Sequence, residues 1–156
     1  MHNSSTKLVI AILWLILVVI GAARIHAVSG VRFNLGLAAL VALSFFMDIY
    51  EALFIGIVAT VLTNWTPAFT LEMALYPVAS VSVVLIHKVF PLQLWLNAAV
   101  AAFLAIVIFS LVVAYRAALA SLPLVVADGL AGALLAGVIF QSMTWIFHKE
   151  QIRRRT

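Results

Sequence analysis

Six apolar segments, separated by short polar groups, occupy almost all of this chain. They lie at about 8–27, 33–47, 52–64, 72–90, 95–115 and 122–147. Soluble domains are about half apolar and about a quarter charged, whereas these 156 residues are 67% hydrophobic and 9% charged. Since no polar stretch is long enough to form an aqueous domain, the sequence predicts a single transmembrane domain over residues 1–156.

Two of these segments are too short to span a bilayer alone. The second and third have thirteen to fifteen residues, and as helices they cover about 20 Å of a hydrocarbon core about 30 Å thick. Fusing them would bury Asp48 and Glu51 in mid-membrane, at roughly 2.5 kcal/mol or more for each charge. A hairpin avoids this cost, because Arg32 and Glu51 can extend to the interface. We therefore predict an all-α integral membrane protein, a polytopic bundle of about six transmembrane helices whose second and third form a short helical hairpin.

Six spans place both termini on the same side of the membrane. If that side is cytoplasmic, the basic residues divide into six inside and three outside, which satisfies the positive-inside rule. A five-span arrangement with an external N-terminus divides them seven to two, so charge counting leaves it open. On the six-span prediction, residues 1–7 are an N-terminal cytoplasmic segment and residues 148–156 are a basic cytoplasmic tail.

The tail carries a cluster of cations, namely Lys149, Arg153, Arg154 and Arg155. Because the chain has so little aqueous surface, we interpret this cluster as an anchor at the anionic cytoplasmic leaflet and not as a nucleic-acid site. Membrane lipids are therefore expected partners, and nucleic acid is not.

Asp128 is an ionisable residue within the last apolar segment. A buried acid in a membrane span can relay protons or cations, or make a polar contact to a partner helix. Alternatively, Asp128 lies near the outer interface and either caps a helix that begins after Pro123 or bonds to Arg116. The sequence leaves these interpretations open.

A stripe of small residues follows Asp128 on one face of the predicted helix. Gly129, Ala133 and Gly137 are spaced four residues apart, and Gly132 widens the stripe. Such a stripe lets another helix backbone approach closely, either within the chain or from a partner protein. We expect leucine at any of the three spaced positions to weaken that contact.

The other polar residues form no recognisable catalytic or metal-binding pattern. Asp48 and Glu51 fall in the turn of the predicted hairpin, where they either contact a basic partner or are simply solvated. The four histidines show no spacing that would bring metal ligands together, and no nucleophile, zinc or phosphate-loop motif is present. The sequence therefore predicts a protein that is not an enzyme and has no cofactor or metal.

The hairpin region resembles a known bacterial family. Arg32-Phe33-Asn34 leads into the Leu-rich run LGLAALVAL, which is followed by an acidic turn, a Gly-containing apolar run (ALFIGIVATVL) and, later, a basic end (IFHKEQIRRR). This order is similar to that of the rod-shape-determining protein family MreD, and it covers most of the chain.

The resemblance implies a non-enzymatic scaffold in the bacterial cytoplasmic (inner) membrane. MreD-like proteins bind the bitopic protein MreC and help to couple cytoskeletal filaments to RodA and its penicillin-binding-protein partner, the cell-wall synthases. It thus implies MreC-like and RodA-like partners and a role in cell shape. Two alternatives remain: the substrate-binding S component of an energy-coupling-factor vitamin transporter, and an accessory subunit of another membrane complex.

Overall fold

The computed structural model describes residues 4–29, 34–63, 70–86 and 94–153, and in these ranges the chain is helical and contains no strand. The six described helices are α1 (Ser4–Ser29), α2 (Leu35–Ser44), α3 (Ile49–Thr63), α4 (Leu71–Ile86), α5 (Leu94–Ala120) and α6 (Leu122–Arg153). The predicted all-helical class is confirmed.

Three of the described helices are long and apolar enough to cross a membrane. The apolar stretches are Ser5–His26 in α1, Trp95–Ala120 in α5 and Leu122–Phe147 in α6. The other three helices are apolar but shorter, as the sequence predicts for the second and third segments. The molecule therefore combines three long helices with three short ones, and a helical membrane protein is the class that fits them.

Helix α2 lies at the centre of the bundle. Every residue from Gly36 to Ser44 is buried, and α2 contacts each of the other five described helices. A ten-residue helix is only about 15 Å long. Protein therefore surrounds α2 on all sides, and its apolar side chains face other helices instead of lipid.

Helices α2 and α3 form the predicted hairpin around a tight turn at residues 45–48. The Cβ of an alanine at Gly36, near the start of α2, would lie 3.2 Å from Thr63 at the end of α3. At the turn, the Asp48 N–H donates to the Glu51 carboxylate at 3.1 Å, and the Asp48 carbonyl accepts from the Ala52 N–H at 2.8 Å. A glutamate three residues after the cap is half of a capping box, so Glu51 helps to start α3.

Helices α3 and α4 are antiparallel and lie unusually close where Gly56 meets Pro77. A Cβ at Gly56 would lie 2.7 Å from both Pro77 Cα and Ser80 Oγ, so only glycine fits. The Ser80 hydroxyl lies 2.8 Å from the Ala52 carbonyl oxygen, to which it donates across the two helices. Backbone contact and a hydroxyl bond thus join α3 to α4.

Helix α5 extends beyond the predicted end of its segment. A kink at Ala114 (φ −140°, ψ 53°) interrupts it, and the helix then continues to Ala120. Ser121 joins α5 to α6: its N–H donates to the Ala117 carbonyl at 3.0 Å, and its own carbonyl accepts from the Leu124 N–H at 2.9 Å. The predicted connection around residues 116–123 is therefore reduced to this one residue between two helices.

Helices α2 and α6 run in the same direction. Asn34, before α2, meets Asp128, and Ala38 faces Gly132 one turn further on. At the other end, the Phe46 ring lies 4.8 Å from the Phe140 ring. Helices α2 and α6 are therefore parallel, whereas α2 and α3 are antiparallel.

Candidate functional site

Asp128 makes the contact that connects α6 to the start of α2. Its carboxylate accepts from the Asn34 backbone N–H at 3.0 Å and from the Asn34 side-chain amide at 3.1 Å. Asp128 is 7% exposed and lies within a stretch of α6 that is long and apolar enough to cross a membrane. The side chain therefore meets another helix of the same chain, and neither caps its own helix nor pairs with Arg116, which is exposed.

The Asn34 contact places the carboxylate beside the N-terminal end of α2. The Asn34 carbonyl accepts from the Leu37 and Ala38 N–H groups, at 3.1 and 3.3 Å, and so begins the helix. Negative charge is favoured near a helix N-terminus, where unpaired N–H groups carry partial positive charge. Asp128 thus positions the buried helix, and its described hydrogen bonds are structural in character.

The small-residue stripe of α6 is divided between two environments. Gly129 and Gly132 are buried, and a Cβ at Gly129 would lie 2.8 Å from the Phe103 ring of α5. A Cβ at Gly132 would overlap Ile106 of α5 and lie 3.2 Å from Ala38 of α2. The close approach within the chain therefore uses Gly129 and Gly132.

Gly137 lies in open space. A Cβ there would meet nothing within 4 Å, and Ala133 is only partly buried. Their neighbours Leu130 and Leu134 are exposed, Leu134 by 74%. Among the described residues, a close contact at Gly137 is thus absent, because this part of the stripe turns toward the surface of α6.

The other predicted residues belong to the acidic turn and to the basic tail. Asp48 is exposed and Glu51 partly buried, and both take part in the turn that starts α3. In the basic tail, α6 continues through Lys149 to Arg153, whose side chains lie outside the described residues, as do Arg154 and Arg155 entirely. The interpretation of the tail as a lipid anchor stays a prediction.

A cleft between α4 and α5, here called the α4/α5 cleft, is a feature that the sequence did not predict. Its volume is about 360 Å³, and its floor includes Leu37 of the central helix α2 and Phe45, which follows that helix. Of the fifteen described residues that line it, thirteen are apolar, and the two polar ones are Ser82 and Asn97. The cleft suits an apolar occupant, and hydrophobicity alone could not distinguish its walls from lipid-facing surface.

The described part of the chain contains no candidate metal site. No group of three or more histidine, cysteine or acidic side chains there could hold a metal ion. Neither a known protein family, nor a curated protein, nor a solved structure matches the chain.

Proposed function

We propose that this chain is a non-enzymatic scaffold subunit, MreD-like, of the bacterial cytoplasmic membrane. It packs against a transmembrane helix of a partner protein and so links the cytoskeleton to cell-wall synthesis and maintains cell shape. Both termini are cytoplasmic, and all six helices are membrane-embedded. MreC-like and RodA-like proteins, with the penicillin-binding-protein synthase, are the expected partners.

The observation that carries this proposal is the open part of the stripe on α6. Ala133 and Gly137 are four residues apart, the spacing at which small residues let two membrane helices meet closely. Gly129 and Gly132 already contact α5 and α2, whereas Gly137 has space around it. A partner helix can therefore pack at Gly137 without displacing a contact within the chain.

The order of the helices supports the MreD-like assignment. A short Leu-rich helix (α2), an acidic turn at Asp48 and a Gly-containing short helix (α3) follow one another as in that family. The structure adds that α2 is buried in the centre of the bundle. A rigid core of this kind leaves the outer faces of α3 and α6 available to other proteins.

The vitamin-transporter alternative fits the α4/α5 cleft less well. Sites for polar ligands combine apolar walls with several placed polar groups. Only Ser82 and Asn97 among the residues that line this cleft could hydrogen-bond to a water-soluble vitamin. We therefore keep the S component as the second candidate and the accessory subunit as the third.

The experiment is a co-purification of the tagged full chain from its native host in a gentle detergent. Partners recovered with the wild type are identified by mass spectrometry and compared with those recovered with Gly137→Leu. Gly21→Leu in α1 is a matched control, because a Cβ at Gly21 also meets nothing within 4 Å. Both variants are expected to fold, since neither side chain enters the bundle.

We expect the wild type and Gly21→Leu to recover MreC-like or cell-wall synthase subunits, and Gly137→Leu to recover about tenfold less, equivalent to about 1.4 kcal/mol. Equal recovery with all three proteins would show that Gly137 does not contact a partner. Recovery of paired ATPases with a coupling subunit would instead make this chain a vitamin-capture component.

A further inference from the structure

The α4/α5 cleft opens sideways from the bundle toward the lipid. Its rim is formed by large apolar side chains that are exposed, such as Val78 and Ile86 on α4 and Leu104 and Ile108 on α5. Its floor is buried, with Leu37 of α2 exposed by only 1%. Since α5 is a candidate membrane span, the cleft can be entered from the hydrocarbon core of the bilayer.

The dimensions of the cleft identify the shape of its occupant. Its walls run from Leu75 to Ile86 on α4 and from Asn97 to Phe109 on α5, which corresponds to about 16–18 Å along a helix. With a volume of about 360 Å³, the cleft is long and narrow, which is the shape of an extended acyl chain.

The polar side chains of the cleft are gathered toward one end. Asn97 lies near the beginning of α5, and Ser82 lies in the second half of α4. Because α4 ends and α5 begins around the same short connection, the two residues face the same membrane interface, where Trp95 is 44% exposed. The cleft therefore has an apolar body and a polar end, which matches an acyl chain with its ester linkage.

We propose that the α4/α5 cleft binds one acyl chain of a membrane phospholipid, with the ester end near Ser82 and Asn97 and the methyl end near Leu75 and Phe109. An empty cleft would lose the dispersion contacts of its walls, so a chain from the surrounding bilayer fills it. This lipid site is independent of the partner surface at Gly137 and of the proposed scaffold function.

The test uses the purified full chain reconstituted in phospholipid vesicles. The vesicles contain a small amount of a phospholipid whose acyl chain carries a photoreactive diazirine, either next to the ester or near the methyl end. After illumination, labelled peptides are identified by mass spectrometry. Labelling of α4 and α5 is expressed relative to labelling of the lipid-facing residues Leu13 and Leu17 on α1.

The two probes are expected to label opposite ends of the cleft. The diazirine next to the ester should label the region of Ser82 and Asn97, and the diazirine near the methyl end should label the region of Leu75 and Phe109. Because bulk bilayer lipid also labels by depth, a bound chain must label the cleft more strongly than Leu13 and Leu17. Labelling of the cleft that is no stronger than labelling of those two residues, with both probes, would overturn the proposal.

A filled cleft provides the second test. Ala101→Phe places a ring inside the cleft, and we expect the relative labelling of the cleft to fall about fivefold or more, because the walls leave no room for both groups. Ala79→Leu makes the same test from the opposite wall with less added volume. Ala117→Phe, at an exposed position of α5 outside the cleft, is the control. Unchanged labelling in a folded Ala101→Phe or Ala79→Leu variant would also overturn the proposal.

Discussion

At the scale of single residues, the buried carboxylate of Asp128 is the polar group with the largest structural consequence. It accepts hydrogen bonds from two donors of Asn34, the backbone N–H and the side-chain amide. A buried donor that loses its acceptor keeps the full penalty of its lost hydration. Loss of the Asp128 carboxylate should therefore cost more stability than loss of a hydrogen-bond acceptor on the protein surface.

We expect Asp128→Ala to destabilise the protein by about 1–3 kcal/mol, because both Asn34 donors lose their acceptor. Asp128→Asn keeps one acceptor oxygen and should lose less. The measurement is unfolding in detergent micelles, followed by circular dichroism. Gln141→Ala, an exposed polar position on the same helix, should leave the unfolding curve unchanged. An Asp128→Ala variant as stable as the Gln141→Ala control would rule out a structural role for the contact.

The sequence identified Asp128 but not its partner. A lone acid in an apolar run stands out from the sequence alone, and so does a stripe of glycines beside it. Asn34 is 94 residues away, and no local periodicity connects positions so distant. The same distance explains why the stripe could not be divided in advance: whether Gly132 or Gly137 is covered depends on where α2 and α5 pack.

At the scale of helices, the α3–α4 pair depends on the absence of a side chain at Gly56. We expect Gly56→Ala to destabilise the protein by about 1–3 kcal/mol, because its Cβ would press on the Pro77 backbone. Gly21→Ala in α1 is the matched control, and with open space around it the change should be neutral or stabilising by up to about 1 kcal/mol. Detergent unfolding measures both. Equal stability of the two variants would contradict the close contact.

Pro77 leads to a second interaction between α3 and α4. Proline has no N–H, so the Met73 carbonyl lacks its helical donor. The Thr60 hydroxyl of α3 lies 2.9 Å from the Gly56 carbonyl oxygen of its own helix and 3.1 Å from the Met73 carbonyl oxygen, so its one proton is shared between these two acceptors. Proline is tolerated in membrane helices where a neighbouring side chain compensates in this way.

A double-mutant cycle can test this compensation. Thr60→Val should destabilise the protein by about 1 kcal/mol, because the Met73 carbonyl then has no donor. In a Pro77→Ala background, the new N–H supplies the helical bond, and the same Thr60→Val change should have a smaller effect. An identical effect in both backgrounds would indicate that the hydroxyl bond to Met73 contributes nothing.

The apolar segments predicted the helices of this pair but not their contacts. Residues 72–90 were predicted as one segment, and α4 indeed continues through Pro77. The compensating donor, Thr60, lies on another helix, so the pattern within α4 could not reveal it.

At the scale of the whole molecule, the proposed six-span arrangement makes a direct prediction about labelling. The chain has no cysteine, so any labelling by a thiol reagent comes from the single cysteine that is introduced. With a membrane-impermeant maleimide, we expect Ala120→Cys to react in intact cells and Asp48→Cys to react only after the membrane is opened. Both positions are exposed. The five-span alternative places Asp48 within the bilayer, and an Asp48→Cys variant that reacts from neither side would support it.

The class of the molecule followed from composition, and the arrangement of its helices did not. The hydrophobicity of a segment shows that it is removed from water, but it does not show whether lipid or protein surrounds it. Leu40 in α2 and Leu17 in α1 belong to equally apolar runs, yet the first is fully buried and the second is 63% exposed. For this reason neither the central position of α2 nor the α4/α5 cleft could be predicted.

The central position of α2 also has a consequence for biosynthesis. Asp128 is synthesised 94 residues after Asn34, which at about 5–20 residues per second is a delay of about 5–19 s. During that interval the ribosome has delivered α2, but α6 and its carboxylate do not yet exist. The contacts of α2 with α6 therefore form only after α6 has been made. Insertion factors that shelter unfinished membrane proteins would act on this chain at that stage.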